Sequence, residues 1–171
     1  TLNNKLASKI KDARPLIKTI GDFVRTSVIE NFSAGGRPDK WKPSGRALAT
    51  NGKTLVDKGK LKNSIHSRVV DGNTVIVGVG VGVGTNIDYA AIHQYGGDIK
   101  IPAHTKKMNF AHNKKTGKLK LAKAKKANFQ QDAQVKEHTI HIPARPYLVV
   151  QDKDMIKIND MAEKYIAKEL Y

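Results

Sequence analysis

The chain has 171 residues, enough for one domain with a core of its own, and sets 31 lysines and arginines against 15 acids for a formal charge of +16. It contains no cysteine, which excludes disulfides, thiolate nucleophiles and cysteine-ligated zinc. A charge of that size bears on solubility, steering and partners (nucleic acid, an acidic protein surface, an anionic membrane surface) and not on fold.

Helical spacing opens the chain. Leu2, Leu6, Ile10 and Ala13 form one stripe at steps of three or four, and Ile17, Ile20, Val24 and Val28 form a second. Pro15, between them, is expected to restart a helix in its first turn or to kink a continuous one. Gly35-Gly36 ends the helical stretch. Residues 33–60 read as irregular, punctuated by glycine and proline. Trp41, the only tryptophan, is expected to anchor that loop on the core, the alternative being a surface anchor for a partner.

From Ile65 the pattern becomes strands. Residues 64–70 and 74–84 flank Asp71-Gly72-Asn73, a hairpin signal because glycine and asparagine tolerate the left-handed turn conformation. In the second strand Val75, Val77, Val79, Val81 and Val83 alternate with Gly78, Gly80, Gly82 and Gly84. Period two predicts every valine on the core face and every glycine on a bare face that invites a helix, a sheet or a neighbouring subunit. Residues 89–93 read as a short helix or turn.

Beyond Gly96-Gly97 lies a basic segment in which Lys106, Lys107, Lys114, Lys115, Lys118, Lys120, Lys123, Lys125 and Lys126 occur with no acid between them. Residues 113–117 separate 107–112 from 118–123, so 98–137 is expected to form a long basic hairpin arm. Its 123–136 part, poor in apolar residues and self-repelling, is expected to be disordered in isolation. Ile140 and Ile142 read as a returning strand stopped by Pro143 and Pro146. From Asp152, the expected N-cap, Met155, Ile158, Ala162, Tyr165 and Glu169 or Leu170 follow the spacing of an amphipathic helix. Together these elements predict an α+β fold in one domain over 1–171, with N-terminal helices, an antiparallel sheet bearing the basic arm, and a C-terminal helix.

No apolar run approaches the roughly 20 residues of a bilayer span, and no charged-then-apolar signal pattern opens the chain. A soluble, intracellular protein with no membrane partner is therefore expected. The glycine run is not read as a phosphate cradle, because it alternates with valine and ends Gly84-Thr85-Asn86 without a Lys-Ser or Lys-Thr. Of the six histidines, His138 and His141 are three apart, but their context is a strand, where odd separation sends them to opposite faces. No metal site, cofactor, Gly-x-Ser-x-Gly elbow or carboxylate pair emerges, and no enzyme is expected.

Three stretches, in order, carry a resemblance. They are Leu55-Val56-Asp57-Lys58-Gly59-Lys60-Leu61-Lys62-Asn63-Ser64-Ile65, then Asp88-Tyr89-Ala90-Ala91-Ile92-His93-Gln94-Tyr95-Gly96-Gly97, then Ile142-Pro143-Ala144-Arg145-Pro146-Tyr147-Leu148 before the last helix. This set resembles the phage virion morphogenesis family, which includes Mu-like and P2-like tail completion proteins. Phe32-Ser33-Ala34-Gly35-Gly36-Arg37-Pro38 and Trp41-Lys42-Pro43 are similar to the same family, so the resemblance covers nearly the whole chain. It implies a structural protein of a tailed phage or prophage that completes the tail or joins it to the filled head. Such a protein would be found at the virion neck after assembly in the bacterial cytoplasm. The resemblance further implies an oligomeric ring, with a hexamer expected, in contact with other neck, tail or connector proteins, and it carries over no catalytic residue.

The interface candidates are Trp41, Gly78, Gly80, Gly82, Tyr89, His93, Gln94, Arg145 and Tyr147. For Arg145 the competing reading is a partner in its own subunit, an acid or backbone carbonyls. The lysine arm is read as a solvated face, or as a docking element for an acidic neighbour or for packaged DNA. The alternative function is sequence-nonspecific nucleic-acid binding through that arm, which counterion release would make strongly salt-dependent. Few aromatics and no reader motif weigh against it.

Overall fold

A computed structural model describes residues 12–113 and 116–170, the side chains of Glu169 and Leu170 excepted. The stripe Leu2, Leu6 and Ile10 and the lysines Lys114 and Lys115 lie outside the described residues. The chain divides into two compact units, one built from the residues up to Gly96 together with those from Pro143 onward, the other being Gly97–Ile142. Among the described residues the strand pairs are all antiparallel, with helices before, between and after them, so the fold is α+β as expected.

In the first unit, helix α1 (Arg14–Ala34) takes Pro15 in its first turn and ends at Gly35-Gly36. Its Val24, Val28 and Phe32, four residues apart, face a core completed by Trp41, Leu61, Ile65 and Tyr147. Strands β1 (Ile65–Val69) and β2 (Val75–Val79) form a hairpin against α1. Gly21 lets the helix come close: a Cβ there would lie 2.4 Å from Val75 Cγ2. The hairpin turn departs from the expected mechanism, since neither Gly72 nor Asn73 is left-handed. Instead Asp71 Oδ1 accepts the Asn73 N–H at 2.8 Å, an Asx turn.

The valine–glycine run does not continue as a strand. β2 stops at Val79, and Gly80, Gly82 and Gly84 take φ of 67, 76 and 65°. Positive φ at every second residue coils the chain, a path that alternation in sequence cannot distinguish from a pleat. Gly80 is closest to its surroundings, for a Cβ there would meet the Thr85 carbonyl oxygen at 2.0 Å. Val83 is consequently exposed, while Val81 folds back over buried Gly78, whose Cβ would sit 3.2 Å from Val81 Cγ2. The continuous bare glycine face expected from period two is absent.

Residues 33–60, expected to be irregular, contain α2 (Gly45–Thr50), capped by Ser44, whose Oγ accepts the Ala47 N–H at 3.2 Å. Gly59 leads into the single turn α3 (Lys60–Asn63), and α4 (Ala90–Tyr95) realises the short helix foreseen around 89–93. Residues 143–151 form no regular element, and α5 (Asp152–Leu170) then returns antiparallel along α1. Lys157 Nζ lies 5.8 Å over the Phe23 ring, and Tyr165 donates its hydroxyl to the Asp12 carbonyl at 2.8 Å. Asp152 is inside the helix and not its N-cap; Asp154 reaches back instead, accepting the Gln151 N–H at 3.0 Å. Met155, placed on the apolar stripe by its spacing, is exposed.

The second unit is a ribbon. β3 (Gly97–Ile101) pairs with β7 (His138–Ile142), and β4 (His104–His112) pairs with β6 (Phe129–Val135). One register runs through both ladders: Ile101 faces His138, His104 faces Val135, and only Pro102-Ala103 opposite Lys136-Glu137 is unpaired. At the tip β5 (Leu119–Leu121) adds to the other edge of β4, giving the hairpin expected around 113–117. The 123–136 stretch, expected to be disordered in isolation, holds a turn at Ala124–Lys126 and then β6 within the chain. Its order comes from backbone pairing with β4, which composition does not register.

Candidate assembly site

The Pro143-Ala144-Arg145-Pro146-Tyr147-Leu148 segment belongs to no ladder, so its backbone polar groups must be matched by other means. The prolines remove two donors, and side chains from distant positions satisfy several of the groups that remain. Gln94 Oε1 accepts the N–H groups of both Tyr147 and Leu148 at 3.0 Å. Asn31 Nδ2 donates to the carbonyls of Tyr147 (2.8 Å) and Val149 (3.1 Å). Trp41 Nε1 donates to the Pro146 carbonyl at 3.1 Å, and the Arg145 N–H to that of His93 at 2.8 Å. The second and third stretches are thereby stapled together, and the Phe32 ring packs between those of Trp41 and Tyr147 at 5.7 and 5.3 Å.

Arg145 is buried and its Nε donates to the Lys42 carbonyl at 2.9 Å, the own-subunit alternative with backbone as the partner. Burial pushes its guanidinium below the ordinary value. His93, half-buried beside it, is lowered first by burial and then by the positive charge of Arg145, and so favours the neutral form. Its Nδ1 is buried with no hydrogen-bond partner among the described residues. Burial, with Tyr95 adding, pushes Tyr147 up to about 12; its hydroxyl donates to the Ala90 carbonyl at 3.1 Å.

His93 and Tyr89, whose rings meet edge-on at 5.8 Å, line a cleft of about 450 Å³ whose other wall includes Arg46, Asp57 and Lys58. First and second stretches therefore meet there. Arg46 is occupied, donating to the carbonyls of Lys53 (2.6 Å) and Val56 (3.1 Å). Of the interface candidates, Tyr89 and His93 border open space. Trp41, Arg145 and Tyr147 are buried within the chain itself, and Gln94 is committed to the backbone. The described lysines of the arm, from Lys106 and Lys107 to Lys125 and Lys126, are exposed.

A second network escaped sequence reading. Arg37 donates to Asn31 Oδ1 (2.8 Å), Glu30 Oε2 (2.7 Å) and Ser27 Oγ (2.8 Å), and Ser27 in turn donates to Asp154. Burial alone would raise the Asp154 carboxyl, but hydrogen bonds from Ser27 and Gln151 and the charges of Arg37 and Lys153 outweigh it and lower the value. The available signal was Ser27 and Asn31 four apart on the face of α1 that carries Val28 and Phe32, since buried polar groups require partners. Among the described residues no cluster of histidines and carboxylates could hold a metal ion. The polar groups brought together here hold backbone in place.

The sequence profile of the phage virion morphogenesis family matches residues 1–167. The chain belongs to the phage virion morphogenesis family. It is similar to the Mu-like prophage FluMu G protein 2 of Haemophilus influenzae, 37% identical over 93 residues. That stretch is 54% of this chain and 59% of the relative, so less than two thirds of the relative's length is spanned. No solved structure matches. No helix among the described residues is long and apolar enough to cross a membrane.

Proposed function

We propose that this virion morphogenesis protein completes the tail and joins it to the head at the neck of a tailed phage or prophage, as one subunit of a homo-oligomeric ring. Six copies are the expected count. The carrying observation is the family match over 1–167, within which Gln94, Arg145, Tyr147 and Asn31 all serve to fix one backbone segment. Polar groups spent on rigidity suit a part that acts by shape, without catalysis. Exposed Leu48, Tyr95 and Ile156 in the first unit offer apolar surface for ring contacts. The name of the Haemophilus relative supports a prophage setting.

Negative-stain electron microscopy of lysates from a producing strain with the gene deleted tests this. Filled heads beside unattached tails, restored to joined particles by a plasmid copy, are the expected result. Normally joined particles in the deletion strain would overturn the proposal.

A further inference from the structure

The lysines of Gly97–Ile142 mask a regular apolar pattern. On β4, Lys106, Met108, Phe110 and His112 share one face. The register sets Leu121 and Phe129 on either side of Phe110, Leu119 opposite His112, and Val135 opposite His104. Met108, Phe110, Leu119, Leu121, Phe129 and Val135 therefore lie on the same side of the three-stranded sheet, together with Ala133 and the polar His104, Lys106, His112 and Gln131. The reverse side carries Thr105, Lys107, Asn109, Lys120, Gln130, Asp132 and Gln134 and is polar throughout its length except at Ala111.

A sheet with one polar face and one on which large apolar side chains cluster is suited to half of a packed layer pair. Here the apolar half stands open: Leu121 is 70% exposed, Leu119 52% and Phe129 44%. A hollow of about 420 Å³ opens between His112, Leu119, Asn128 and Phe129. Its walls are held, since Asn128 brackets the His112 backbone, Oδ1 accepting the N–H at 2.6 Å and Nδ2 donating to the carbonyl at 2.9 Å. The Phe110 and Phe129 rings pack beside it at 6.3 Å.

Charge selects the occupant. The unit has eleven lysines against three acids, a net of +8 with histidines neutral. A second copy laid on this face would set +8 against +8, which opposes self-pairing. Duplex DNA would satisfy the lysines through its phosphates and leave the leucines and phenylalanines without a complement. An acidic protein surface with an apolar centre answers both the net charge of the unit and its exposed apolar side chains. We infer that the β5-β4-β6 face docks on such a surface of another protein of the same virion, an inference that rests on the virion role proposed above.

The test replaces Leu121, and separately Lys107 on the polar face, with the photocrosslinking residue p-benzoylphenylalanine in the full chain, irradiated in producing cells and in purified particles. The Leu121 position is expected to crosslink to a net-acidic stretch of a different virion protein, and the Lys107 position to do so far less. Leu121→Asp is expected to lower incorporation into particles on the order of tenfold. Crosslinks from Leu121 to a second copy or to DNA would overturn the inference, as would no crosslink in particles that contain the protein. Such results leave the neck role standing. Absence of the protein from joined particles would instead remove both.

Discussion

Gln94 illustrates how much of this molecule turns on single polar side chains. Its carbonyl oxygen serves two backbone N–H groups at once, those of Tyr147 and Leu148. Gln94→Leu keeps the bulk and strands both donors, and is expected to destabilise the first unit by about 2–4 kcal/mol. Gln94→Glu keeps the acceptor and should retain most of the stability; equal urea midpoints for the two variants would refute the account. His93 gives a pH-dependent counterpart. Its folded value is lowered, so between that value and the ordinary ~6.5 the unfolded chain binds the extra proton. Its contribution is complete above that ordinary value and is lost as pH falls through the folded one. His93→Gln should therefore flatten the decline in urea midpoint between about pH 7 and about pH 5. An unchanged slope would assign that decline to another group.

At the scale of elements, the coil at 80–84 makes a prediction that a strand would not. Gly84 has open space around its missing Cβ, so Gly84→Ala carries backbone strain alone, about 1 kcal/mol. Gly80→Ala adds the collision with Thr85 and should cost about 3 kcal/mol. Equal losses in thermal unfolding would restore the strand. α1 was legible in the sequence because its apolar periodicity is also what buries it, α5 because the same spacing recurs even though Met155 stays exposed, and the β1-β2 hairpin because a turn signal sits between two alternating runs. The end of β2 was not, since glycine leaves no side chain by which to distinguish a pleat from a left-handed turn. β6 escaped because its support is a neighbour's backbone. The site was legible in part: the three family stretches stood out, but Gln94 and Asn31 find their partners 53 and 116 residues away, and no local pattern encodes such a pair.

For the whole molecule, +16 is the dominant electrostatic fact, and the described salt bridges, such as Arg37–Glu30 and Lys164–Asp160, offset little of it. Screening should therefore stabilise the free protein: raising salt from about 0.05 to about 0.5 M is expected to lift Tm by about 2–4 °C. A fall would show that attractive pairs dominate. The ribbon has a different consequence. The chain leaves at Gly97 and comes back at Ile142, which face each other across one ladder, about 5 Å between Cα atoms. Whatever lies between them is, topologically, a cassette. Replacing 98–141 by an Asn-Gly turn should leave the remainder folding cooperatively, with the Trp41 fluorescence of the parent. Loss of cooperative unfolding would mean that the insert is needed for the rest to fold. If it is not, the insert can lengthen, shorten or be exchanged without disturbing the scaffold, so the choice of docking partner can drift while the body that carries it stays the same.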